Sequence, residues 1–108
     1  MAWERRETHH VGSYAFHWFS DGDGSWLIAI WSEAKAPSEP READVASALT
    51  VQHIPVRDNP KGKTRPVREF CERFMSDIPF RVRAIRNKVP TLRRLRANGV
   101  VPDAAEDG

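Results

Sequence analysis

The chain has a single cysteine, Cys71, which excludes an internal disulfide and a structural zinc site built on paired cysteines. No apolar run approaches the roughly 20 residues needed to span a bilayer. No apolar signal-peptide core follows Met1-Ala2-Trp3-Glu4-Arg5-Arg6. Together these absences suit a reducing compartment, and a cytoplasmic location is the expectation. No glycine lies between Gly62 and Gly99, so a helix-turn-helix has no residue for its tight turn. RNP-type aromatic motifs, metal-finger spacings and internal repeats are absent as well. The last absence is of one charge sign, since no acidic residue lies between Asp77 and Asp103.

The charge that is present is unevenly spread. Residues 57–96 hold thirteen basic and four acidic side chains, whereas residues 1–56 hold four basic and eight acidic ones. The last twelve residues hold three acidic and no basic side chains, so a total of only +2 conceals a basic segment of +9. Such separation steers an anionic partner to one part of the molecule. Thirteen of the seventeen basic residues are Arg, whose planar fork suits phosphate and carboxylate. A chain of 108 residues is one domain with one modest core. Residues 1–100 are expected to form it, and the acidic stretch 101–108 reads as a disordered tail.

Two strand-like runs, 10–19 and 25–32, flank the turn signal Asp21-Gly22-Asp23-Gly24 and predict a β-hairpin. With a four-residue loop, Phe19 faces Trp26, His17 faces Ile28 and Ala15 faces Ile30. Both faces of this hairpin are apolar, so both must be covered. Helices are expected on one side and a partner chain or loop on the other, which suggests a homodimer through the Trp-rich sheet. Residues 34–44 read as a loop. A third strand is expected at 47–54, with Pro55 ending it at a sheet edge.

Val67, Phe70, Cys71, Phe74 and Met75 form an i, i+3, i+4, i+7, i+8 stripe and predict a helix over 66–76. Residues 78–84 read as helix, with a fourth strand as the competing reading. Pro90 interrupts, Thr91 caps a short final helix, and Asn98-Gly99 stops it. The expected fold is therefore α+β: a three-stranded antiparallel sheet, made of the aromatic hairpin and one further strand, followed by two or three C-terminal helices.

Most apparent chemical motifs fail on spacing. Gly62-Lys63-Thr64 ends like a phosphate-binding loop, but Arg57 stands where the first glycine belongs. Asp21-Gly22-Asp23-Gly24-Ser25 starts like a calcium loop, but Trp26 and Ser32 occupy its glycine and glutamate positions. His9 and His10 are neighbours and point to opposite faces of a strand. Cys71 lies within an apolar stripe and reads as a core residue. His17 and His53 could act near neutral pH, and a small ribonuclease is the third functional reading. No catalytic residue, metal or cofactor is assigned.

Within the basic segment, Glu69 with Arg73 and Arg68 with Glu72 neutralise each other at i, i+4 spacing. The remaining cations are Arg57, Lys61, Lys63 and Arg65 in a loop, and Arg81, Arg83, Arg86, Lys88, Arg93, Arg94 and Arg96 beyond the first helix. The leading reading is a non-enzymatic module that contacts nucleic acid, DNA or RNA, through phosphates. The rival is an adaptor or inhibitor that docks on an acidic protein surface.

Overall fold

The computed structural model describes residues 3–102. It is an α+β fold with four strands in a meander: β1 (Glu4–Val11), β2 (Tyr14–Ser20), β3 (Trp26–Ser32) and β4 (Thr50–Ile54), all antiparallel, in the order β1-β2-β3-β4. Helices α1 (Arg65–Ser76), α2 (Ile78–Arg86) and α3 (Lys88–Ala97) follow. Short 3-10 turns occupy Glu33–Lys35, Glu42–Ser47 and Val56–Asp58.

The fourth strand is β1, which the sequence pattern hides. Its residues are mostly charged or polar and half or fully exposed, so they carry no apolar alternation. Charge on an edge strand also discourages pairing with other chains. The expected run 10–19 contains the end of β1, a two-residue turn at Gly12-Ser13, and β2. Gly12 has φ +57, as a tight hairpin turn requires at its first central position.

The expected hairpin is present, with its register shifted. Ser20 pairs with Trp26, Phe19 with Leu27, His17 with Ala29 and Ala15 with Trp31. The loop is one residue longer than expected because Asp21 Oδ1 accepts from the backbone N–H of both Asp23 and Ser25, which extends the turn to Ser25. A one-residue slip exchanges the faces of a whole strand.

Both faces of the sheet are covered by the chain itself. One face presents Phe19, Leu27, Ala29, Trp31 and Val51 to Leu92 and Leu95 of α3, with Trp3, Val45, Ala48 and Val101 closing the cluster. The other presents Phe16, Trp18, Ile28 and Ile30 to Val67 and Phe74 of α1, bordered by Phe80 and Ile85 of α2. The expectation that a second copy covers one face therefore loses its motive, since Trp3, Trp18 and Trp31 are buried within the chain. Val101 packs in the core, and the acidic residues 103–108 lie outside the described residues.

The helix reading of 78–84 holds. Asp77 accepts a hydrogen bond from the Phe80 N–H at 3.0 Å and starts α2, and Pro79 sits in the first turn, where no backbone donor is missed. The chain then turns at Asn87, three residues earlier than Pro90 suggests. Pro90 is tolerated because it falls in the first turn of α3. Thr91 is thus inside the helix and not its cap. The stop at Gly99 is as expected: φ is +72, the Gly99 N–H reaches Arg96 O, and the Val100 N–H reaches Leu95 O, the paired bonds of a Schellman ending. The expected third strand is shorter, because residues 42–47 form a 3-10 turn.

Candidate functional site

The loop that carries Lys61 and Lys63 is held firmly. The Trp26 indole donates to Gly62 O at 3.0 Å, and the Asn59 amide donates to Lys63 O at 2.7 Å. A Cβ on Gly62 would lie 3.0 Å from the Cα of Gly24. Gly62 is therefore required for the close approach of the hairpin turn, which gives Gly62-Lys63-Thr64 a packing role.

The eleven cations singled out from the sequence do not all remain available. Arg81 donates to Phe74 O and Met75 O, at 2.9 and 2.7 Å, and lies over the rings of Tyr14 and Phe74. It closes the C-terminal end of α1 with its charge. Lys88 donates to Ala46 O at 2.7 Å, and burial, then Arg96, lower its pKa. Arg65 pairs with Glu69 on an exposed face, where such a bridge is worth little. Arg57, Lys61, Lys63, Arg83, Arg86, Arg93 and Arg94 are exposed and have no ion pair among the described residues.

Two clefts hold three of these seven cations, Arg57 and Arg94 in one and Arg93 in the other. The first, about 560 Å³, is lined by His53, Pro55, Arg57, Asp58, Arg94, Leu95, Asn98 and Val100. It brings together Arg57, from the turn after β4, and Arg94, from α3, so the two cationic stretches of the sequence meet here. His53 faces Leu27 across β4 and β3 and packs edge-on against Trp3 at 5.9 Å. Its pKa is lowered by burial; Asp21 opposes this, Arg57 and Arg94 add to it, and Asp58 opposes it. The ring is therefore neutral near pH 7, able to donate from one nitrogen and accept at the other. The second cleft, about 700 Å³, lies on the other flank of α3, lined by Ala46, Lys88, Val89, Leu92, Arg93, Arg96 and Ala97. Arg83 lines a third, smaller cavity with Phe70, Arg73 and Phe80.

His53, singled out from the sequence as able to act near neutral pH, and Asn98, read there as part of a helix stop, are both in the first cleft, and nothing in their spacing announces that they meet. Their meeting depends on α3 crossing the sheet beside β4. His17 does not line this cleft. It is buried in the sheet, 2.9 Å from Thr8 Oγ1 through Nδ1, and burial lowers its pKa to about 4, with Arg5 and His10 adding to the effect against Glu33. Cys71 is half-buried, and burial pushes its thiol up to about 12, which suits an inert core residue. His9 and His10 are exposed beside Glu7 and Glu33. Among the described residues no cluster of His, Cys, Asp or Glu could hold a metal, and no helix is long and apolar enough to cross a membrane. Comparisons with protein-family models, with curated proteins and with solved structures each find no match.

Proposed function

We propose that this chain is a small non-enzymatic binding module that grips nucleic acid through its phosphates. The observation that carries the reading is the first cleft. Arg57 and Arg94 come from segments far apart in sequence, both are exposed, neither is ion-paired among the described residues, and they flank a neutral histidine and an amide. Two guanidinium groups around a concave site suit a phosphodiester, which takes charge-assisted hydrogen bonds from both. Arg83, Arg86 and Arg93 are further exposed cations on the helices that additional phosphates could meet.

Fluorescence anisotropy with labelled duplex DNA and single-stranded RNA tests this at low and physiological salt. Binding should survive physiological salt and weaken with a log–log slope of about −0.9 per duplex phosphate neutralised, or about −0.7 per single-strand phosphate. Changing Arg57 and Arg94 to Gln should reduce both affinity and slope. Binding of neither polymer at physiological salt would remove the reading.

A second reading has its own observation. Ile78 and Val82 on α2 and Val89 on α3 are 63%, 45% and 58% exposed, and these two helices also carry the exposed Arg83, Arg86 and Arg93. An apolar stripe bordered by cations suits an acidic protein surface better than a phosphate backbone. In that case, serine at Ile78, Val82 and Val89 abolishes capture of the partner, and glutamine at Arg57 and Arg94 leaves it intact.

A further inference from the structure

The cleft on the outer flank of α3 differs from the first in having no acid in its lining. Lys88, Arg93 and Arg96 all face it, with Ala46, Val89, Leu92 and Ala97 as apolar wall. Three cations on one helix flank repel each other, and among the described residues none of them has an ion pair. The acids of the adjoining turn, Glu42 and Asp44, are oriented to backbone donors and form no ion pair with these cations: Glu42 Oε1 accepts from the Trp3 backbone N–H at 2.6 Å, and Asp44 Oδ2 accepts from the Arg41 N–H at 2.7 Å. Arg96 Nε is buried with no hydrogen-bond partner among the described residues. A buried donor without an acceptor is uncommon, because the desolvation penalty stays uncompensated.

We propose that this cleft is a binding site for a phosphoryl group, held by Lys88, Arg93 and Arg96, with the apolar wall taking the body that carries the phosphate. The chemistry follows from the three side chains. A dianionic phosphoryl group offers three acceptor oxygens, enough for the Arg93 fork, the Arg96 guanidinium and the two N–H donors of Lys88 that its bond to Ala46 O leaves over. It also removes the repulsion between Lys88 and Arg96. A volume of about 700 Å³ lies within the size range of small-ligand pockets, so a nucleotide-sized phosphate ester fits. A phosphodiester of a nucleic-acid strand presents only two such oxygens and a single charge, so it meets fewer of these donors.

The inference stands on this cleft alone and does not require the nucleic-acid reading. The test is a titration of the full chain followed by ¹⁵N NMR of the arginine Nε–H and lysine Nζ signals. Its arms are inorganic phosphate, adenosine 5′-monophosphate and a short duplex, each against chloride at matched ionic strength. Phosphate and the nucleotide should move the Arg96 Nε–H and Lys88 signals saturably, and the nucleotide should bind the tighter. Arg93→Gln, an exposed position whose change leaves the core intact, should weaken phosphate binding by about tenfold, and Arg68→Gln on the opposite face of the sheet should not. Phosphate effects no larger than those of chloride overturn the site, even where the duplex still binds elsewhere. Saturable phosphate binding with no binding of duplex DNA or single-stranded RNA keeps the site and removes the nucleic-acid reading. Saturable binding unchanged in Arg93→Gln and Arg96→Lys alike also overturns it.

Discussion

At the scale of single residues, burial decides what a side chain can do more than its type does. His17 has the chemistry of a catalytic base, yet it sits inside the sheet, edge-on to Trp31 at 5.3 Å. Arg5 donates to Thr8 Oγ1 at 2.9 Å, which leaves the Thr8 proton for His17 Nδ1. Burial brings the His17 pKa from 6.5 down to about 4. A histidine whose pKa falls on folding binds its proton more readily in the unfolded chain. Stability is therefore full above about pH 6.5 and declines as the pH falls toward 4. The decline due to His17 is about 3 kcal/mol across that window, and His53, also lowered, adds in the same sense. Urea unfolding between pH 7.5 and 4 should show the slope, and His17→Phe should flatten it. An unchanged slope in that variant would assign the effect to other groups. Arg81 makes the same point differently: its guanidinium is used on the carbonyls of Phe74 and Met75, so its charge serves the joint between two helices.

At the scale of elements, the ends of helices follow local chemistry closely. Asp77 caps α2, and its carboxyl is held below the ordinary range chiefly by the Phe80 N–H; burial opposes this, and Arg73 and then Arg83 add to it. A lowered carboxylate contributes stability above its unfolded pKa and loses it as the pH drops through the folded value. Asp77→Ala should lower the Tm measured by circular dichroism at pH 7, and Asp77→Asn, which still accepts at a cap, should recover most of it. Equal Tm values for the two variants would mean that the cap is unimportant. Strand β1 is the opposite case. Its charged residues form a strand only because β2 offers a ladder to pair with, and its irregularity between Arg5 and Glu7 is typical of an edge. No local pattern in Glu4–Val11 announces this.

At the scale of the whole molecule, the helices wrap the sheet. Helices α1 and α2 belong to one core cluster and α3 to the other, so the chain passes from face to face between α2 and α3 at the β4 edge. This leaves no broad apolar sheet surface among the described residues. The chain alone should sediment at high concentration with the mass of one copy, 12.3 kDa. Twice that mass, abolished by serine at Ile78, Val82 and Val89, would show that the exposed stripe joins two copies. The same wrapping splits the basic segment, placing Arg94 on one flank of α3 and Arg93 and Arg96 on the other.

The amino-acid sequence by itself determined the fold class, the aromatic hairpin, the helical stripe of Val67 to Met75, the stop at Gly99 and the basic character of residues 57–96. These rest on local periodicity, turn chemistry and charge, which act over a few residues. Tertiary structure alone decided that Glu4–Val11 is a strand, that Lys88 is tied to the Ala46 carbonyl, and that Arg57, His53, Arg94 and Asn98 share a cleft. Each of these depends on which surfaces meet after the chain has folded back over long separations. A charge count along the sequence cannot see which cations the fold leaves free.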